Sequence, residues 1–382
     1  MINKITVQTN KSVKLLGDVV NFLDHLRKPI TASERKDGSY PYYGANGQQG
    51  MIDDYIFNES LILLAEDGGH FGNPDKTIAY IVEGKTWVNN HAHVLQPRKG
   101  TDINFLRRHL EYYDVRPFIN GATRSKLTKT SAAKIPLFFP PLPEQKRIAT
   151  ILDKANALRQ KRQESLLLAD DLLRSSFLEM FGEQSRNKCN WDESYLGDMV
   201  EFMTSGSRGW AKYYSSAGEI FLRIQNVGKN KLLTNDICFI TPPDSAEAKR
   251  TKVRANDILL TITADLGRTA VIPESYPTAY INQHLAILRL KKGINPYYIS
   301  EFISSCEGKS QIAKLNKGGV KAGLNFNDIK SIKIPLPPKT LQDKFSKIYD
   351  KISTLEGRYI TSMQEMNNQF NSLSQKAFRG EL

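Results

Sequence analysis

Groups capable of covalent chemistry are present in this chain, but never in the spacing that such chemistry requires. A phosphate-binding loop needs a glycine five residues before its Gly-Lys-Ser, because backbone N–H groups must wrap the phosphates. Gly308-Lys309-Ser310 has Ile303 at that place. Methyl transfer to a base nitrogen needs an Asn/Asp-Pro-Pro-aromatic run to hold the extruded base. Neither Asn73-Pro74-Asp75-Lys76 nor Thr241-Pro242-Pro243-Asp244 supplies it. The glycines at every third position from Gly44 to Gly50 are not a dinucleotide fingerprint. His91 and His93 flank Ala92 on one face of an expected strand, yet no third ligand lies nearby in sequence, so no metal site is expected.

The chain does offer hydrogen-bonding forks. Arginine and lysine match guanine edges, and asparagine and glutamine match adenine edges. In the first half the candidate readers are Asn46, Gln48, Gln49, Arg124 and Lys126, with Tyr42 and Tyr43 able to pack on sugar or base. In the second half they are Arg208, Arg223, Gln225, Asn226, Lys317, Lys321 and Asn325. The same residue types also serve as phosphate contacts, turn residues or solvated surface, and about half of protein–DNA hydrogen bonds go to the backbone. Gly44 and Gly47 are expected to shape a turn.

Charge points the same way. The 382 residues carry a formal net charge of +13, which favours a polyanionic partner. A hydrophobic share of 40% and a charged share of 24% are ordinary for a soluble globular chain of two or more domains. The N-terminal MINKITVQTNKSVK lacks the apolar run of a signal peptide, and no stretch approaches the length of a membrane span. Cys189, Cys238 and Cys306 are too far apart for a disulfide framework. A cytoplasmic protein without a membrane partner is expected.

The elements that must position these residues are written twice. Leu127–Phe181 lies on Leu324–Phe378 without a gap, each residue matching the one 197 positions later. Ile135/Ile332, Pro140/Pro337, Gln145/Gln342, Asp153/Asp350 and Leu158/Leu355 are among the identical pairs. Each copy opens with alternating apolar residues, a half-buried strand, and stops at two prolines. The period then changes. Ile148, Ile151, Leu158, Leu166 and Leu173 in one copy, and Ile348, Ile352, Leu355, Met363 and Phe370 in the other, recur at helical spacing. Glu144–Phe181 as one helix would be roughly 57 Å long at about 1.5 Å per residue. An apolar stripe of that length needs a partner, and the repeat predicts the other helix, packed antiparallel as a coiled coil. The alternative is that each helix packs only on its own globular domain.

The segments before these helices diverge, apart from anchors. Leu16-Gly17-Asp18-Val19-Val20 matches Leu196-Gly197-Asp198-Met199-Val200, and Val88-Asn89-Asn90-His91 matches Ile281-Asn282-Gln283-His284. Short strand-like runs and a few helices predict mixed α/β domains on a shared scaffold with different loops.

Tyr42-Tyr43-Gly44-Ala45-Asn46-Gly47, Ala122-Thr123-Arg124-Ser125-Lys126-Leu127 and Pro140-Pro141-Leu142-Pro143-Glu144-Gln145 together resemble the specificity subunit of a type I restriction–modification enzyme. So do Phe221-Leu222-Arg223-Ile224-Gln225-Asn226, Ile281-Asn282-Gln283-His284 and Ala377-Phe378-Arg379-Gly380-Glu381-Leu382. Lys339-Thr340-Leu341-Gln342 departs from the Leu-Pro-Glu-Gln form of the first copy. The resemblance implies an α+β fold with two target-recognition domains, residues 12–142 and 192–338, related by pseudo-two-fold symmetry. Residues 143–182 and 339–382 would be the two antiparallel helices, 1–11 an N-terminal segment and 183–191 a linker. It implies that each domain reads half of an asymmetric, bipartite site in double-stranded DNA. The helices would set the spacer and dock two adenine-N6 methyltransferase subunits, which two motor–nuclease subunits can join. S-adenosylmethionine, ATP and Mg would belong to those partners, and this chain would hold no cofactor or metal and do no chemistry. The competing readings are a single-chain methyltransferase with a fused recognition domain and a coiled-coil scaffold that binds only proteins.

Overall fold

The computed structural model describes residues 12–73, 76–119, 125–182, 191–234, 236–315 and 323–382. They fold as two compact units, of which the first is not contiguous in sequence. The first comprises Met1–Glu164 and Ile360–Leu382, and the second Ser165–Tyr359.

In the first unit, Val20–Phe22, Ala92–Pro97, Leu61–Ala65 and Ala79–Val82 lie side by side in that order, antiparallel throughout. A second sheet runs Gly47–Ile52, Tyr40–Gly44, Lys85–Val88, Phe57–Asn58, and its two central strands are parallel. Leu61–Ala65 reads as an unbroken apolar run because both its faces are covered. Ile62 and Leu64 enter one core with Phe105 and Leu106, while Leu61 and Leu63 enter another with Phe57 and Val88.

The second unit repeats the order of the first sheet, with different strand lengths, but not that of the second sheet. Val200–Ser205, Leu285–Leu290, Ile258–Thr261 and Thr269–Val271 form its first sheet. Tyr214–Ser215, Cys238–Ile240, Glu219–Leu222 and Ala279–Ile281 form the other, whose one parallel pair lies at an edge and not at the centre. The chain is thus an α+β architecture written twice.

The repeated residues explain themselves. Gln145 is buried and accepts from the Asp102 N–H at 2.9 Å while donating to the Pro140 carbonyl at 2.8 Å. Gln342 does the same with the Asn295 N–H and the Pro337 carbonyl. Each glutamine ties the start of a long helix to the N-cap of a shorter helix of the same unit, Ile103–Glu111 or Pro296–Ser304. Gly17 and Gly197 recur because a Cβ there would stand 3.1 Å from the Ala133 Cβ and 2.9 Å from the Lys330 Cβ.

The long helices span Leu142–Phe181 and Lys339–Arg379. In the first unit, Ile148 and Leu152 share a core with Phe370, Ala377 and Phe378. Arg147 bonds the Leu382 carbonyl and Arg159 bonds Asn367, so the two segments run antiparallel there. In the second unit Phe177 and Phe181 pack against Phe345, with ring centroids 5.2 and 5.8 Å apart.

The seam differs from the expected one at a matched pair. Ile148, Ile352 and Phe370 are buried, and Ile151, Leu166, Leu173, Ile348 and Met363 are half-buried. Leu158 and Leu355, expected in the seam, are 57% and 42% exposed. The reason is helical drift: 3.6 residues per turn does not keep a strict heptad on one face of a straight helix. The next residues, Arg159 and Glu356, turn inward instead, with side chains that find polar partners there.

Candidate nucleic-acid interface

The ends of the first sheets are built alike in both units. Asn89 accepts from the His91 N–H at 2.8 Å, and Asn282 accepts from the His284 N–H at 3.2 Å. This side chain-to-backbone turn fixes the approach to the next strand. The imidazole Nδ1 then meets a side chain just past the neighbouring strand: Asp67 for His91, and Thr263 for His284 at 2.7 Å. Asp67 bridges Lys126 and Thr263 bridges Gly323, the matched position. One frame therefore presents different chemistry at equivalent places.

Behind this end of the first unit lies an ion network that the sequence conceals. Glu66 receives the Arg27 guanidinium at 2.6 Å and the Lys126 ammonium at 3.0 Å. His93 donates from Nδ1 to Asp24 and from Nε2 to the Leu127 carbonyl, both at 2.7 Å. Burial pushes both carboxyls up, but His93, Arg27 and the Val94 N–H bring Asp24 below its ordinary range. Arg27, Lys126 and His93 do the same for Glu66. Asp24, Glu66 and His93 converge closely enough to suggest a cation site, with ligand atoms within 4.8 Å. Their atoms are already engaged by Arg27, Lys126, Val94 and the Leu127 carbonyl, so the donor set does not fit a metal. The partners of His93 come from Asp24 and Glu66, far away in sequence, where spacing gives no signal.

The candidate readers fall into three groups. Asn46, Gln48 and Gln49 are exposed at the turn where Gly47 takes φ 112°, and Lys126 is exposed above Glu66. Arg208 is exposed on the loop before Trp210, and Gln225 and Arg223 converge on Asp236. Arg223 lies 3.0 Å from the Asp236 carboxylate, and the Gln225 side-chain oxygen accepts from the same guanidinium at 3.2 Å. A carboxylate behind an arginine fork limits its rotamers. A second group is structural. Tyr42 is 2% exposed, with its hydroxyl donating to the Ile30 carbonyl and Arg35 stacked on its ring. Tyr43 packs on the core beside Tyr80. Asn226 is buried and braces its own loop through Leu233 and Asp236, and Asn325 caps the helix Phe326–Lys330. Asparagine recurs in turns and caps for backbone reasons, which residue type alone does not separate from base reading. Arg124, Lys317 and Lys321 lie outside the described residues.

The model of the type I restriction modification DNA specificity domain matches residues 9–168 and again 188–371. The chain belongs to this family. A type I restriction enzyme specificity subunit of Haemophilus influenzae is 29% identical over 90% of this chain and 87% of its own length. The EcoKI specificity subunit of Escherichia coli K12 is 26% identical over 91% and 83%. The crystal structure of a type I S subunit from M. genitalium shares the fold with a TM-score of 0.62 at 14% identity, over 99% of both chains. A chain described under complex assembly and conformational transition of the type I system scores 0.56 at 15% identity, over 99% of this chain and 100% of that one. As a type I specificity subunit, the protein is a non-catalytic component that works with other restriction–modification subunits and DNA. Among the described residues, no helix is long and apolar enough to cross a membrane.

Proposed function

We propose that each unit of this specificity subunit reads one half of an asymmetric, two-part DNA site. The carrying observation is the duplicated strand order of the first sheet, with equivalent Asn-x-His turns and dissimilar strands and loops around them. Two copies of one frame suit two similar tasks, and different loops suit different bases. Asn46, Gln48, Gln49 and Lys126 are the readers of the first half, and Arg208, Arg223 and Gln225 of the second. The net charge of +13 supplies phosphate affinity that does not depend on sequence.

The long helices, on this reading, dock two adenine-N6 methyltransferase subunits, and motor–nuclease subunits join that complex in the cytoplasm. S-adenosylmethionine, ATP and Mg enter with those partners. Leu167, Leu168 and Leu172 support docking, since more than half of each stands exposed on the first long helix. The solved chain of like fold described under complex assembly supports it too.

Exchange of residues 12–142 for the matching segment of a relative tests the reading. Long-read detection of methyladenine, with the methyltransferase partner present, is expected to show one half of the motif changed and the other intact. Simultaneous change of both halves would sink it.

A further inference from the structure

Matched positions of the two long helices carry opposite chemistry. In the first unit Arg159 donates to Asn367 at 2.8 Å and lies over the Phe370 ring at 4.4 Å. The residues 197 positions away are Glu356 for Arg159 and Asp170 for Asn367, both in the second unit. Two facing carboxyls thus stand where the first unit has an arginine and an amide. Such a pair repels unless a cation or a proton intervenes.

The cation comes from the recognition domain. Lys231 Nζ is 2.6 Å from Asp170 and 3.7 Å from Glu356. Its neighbour Asn230, 2% exposed and at φ 52°, donates to Glu301 at 2.6 Å and accepts from Ser300 at 2.5 Å. The Asn230 carbonyl accepts from the Tyr349 hydroxyl at 2.8 Å. One turn is therefore fastened to both long helices and to the helix Pro296–Ser304. The same loop holds the arginine fork: Asn226 and Leu233 exchange hydrogen bonds of 2.9 and 3.1 Å, and Asn226 accepts from the Arg223 N–H at 2.9 Å.

We infer that Lys231 is a positioning residue, a strut that sets the DNA-reading loop Arg223–Thr234 against the long helices of the second unit. The inference rests on the proposal that this unit reads a half-site. Burial, then the Asp170 carboxyl, lifts Glu356 to about 7 against the pull of Lys231. The groups facing Glu356 are Asp170, Lys231 and Tyr349, and Glu301 faces Asp170. Loss of the lysine removes both the tether and the compensating charge.

Two variants separate these effects in the full chain bound to its methyltransferase. Lys231→Met alone is expected to cut discrimination at the second half-site about tenfold, the scale of one mismatched base pair. The first half-site, identified by the 12–142 exchange, keeps its wild-type stringency, and Lys231→Arg restores most of the second. The triple variant Lys231→Met, Asp170→Asn, Glu356→Gln removes the facing charges without restoring the tether, so the second half-site stays relaxed. Return of the wild-type motif in the triple variant would show charge neutralisation alone and overturn the strut. Equal loss at both half-sites, or no change in Lys231→Met, would overturn it as well. A wild-type complex that methylates no two-part motif at all would overturn the half-site reading beneath it.

Discussion

Arg159 with Asn367, and Glu356 with Asp170 and Lys231, occupy equivalent places and solve one problem in two ways. Each sits where a long helix drifts off its apolar stripe and a polar side chain must turn inward. The first unit closes the gap within the helices, by a hydrogen bond and an aromatic face. The second draws in a lysine from the loop that carries Arg223. A duplicated backbone therefore does not impose duplicated mechanics. One loop is coupled to the helices, and the matched place in the other unit is filled without one.

The largest expected effects test whether the two anchoring cores are equivalent. Phe345 is fully buried against Phe177 and Phe181, and Phe378 packs 4.2 Å from the His109 ring. Phe345→Ala and Phe378→Ala are each expected to cost about 3–5 kcal/mol, the usual range for a buried phenylalanine. Hydrogen exchange on the full chain should lose protection mainly in the second unit for Phe345→Ala and in the first for Phe378→Ala. A uniform loss in both would mean that the units unfold together.

The comparison predicts opposite responses to pH among buried groups. Burial lowers His109 to about 4, and the ring stays neutral, accepting from the Phe138 N–H. An unfolded chain would protonate it near 6.5, so its contribution is lost as pH falls from about 6.5 toward 4. At about 1.4 kcal/mol per pH unit this is on the order of 3 kcal/mol. Asp24 and Glu66, held low in the same unit, act with the same sign at lower pH. Glu356 is raised to about 7, and burial raises Glu301 too. Their contribution is present below the ordinary carboxylate range and is lost as pH rises, for Glu356 through about 7. Exchange protection measured from pH 4.5 to 8 should rise in the first unit and fall in the second. Parallel curves would remove the contrast.

The smallest effects are at the matched pair itself. Arg159→Ala is expected to cost about 1 kcal/mol, since the pair is partly solvated. Glu356→Gln at pH 8 should be neutral or slightly stabilising, because it removes one of two facing carboxylates. Urea unfolding midpoints decide the sign, and equal destabilisation by both changes would contradict the difference in chemistry.

Much of the frame was legible because it is repeated. Gln145/Gln342, Gly17/Gly197 and the proline stops each answer a local geometric demand, and such demands leave a mark at fixed spacing. Leu158 and Leu355 misled because apolar character marks a face only to within the drift of the helix. Tyr42 and Asn226 misled because a tyrosine or asparagine that braces a loop is the same residue type as one that reads a base. Arg27, Glu66 and Lys231 were silent as partners, since long-range ion pairs have no sequence period.

The closing of the first core by Phe370, Ala377 and Phe378 bears on how the chain is made. Phe105 meets a ring 273 residues later in sequence, Phe378. At roughly 5–20 residues per second of synthesis, that delay is about a quarter of a minute to a minute. During it, Phe105, His109, Ile148 and Leu152 are on the ribosome with part of their core unmade. A contact of this sequence separation also slows folding, because a long loop must close before it brings any gain. The first unit to be translated is in this sense the last that can be completed.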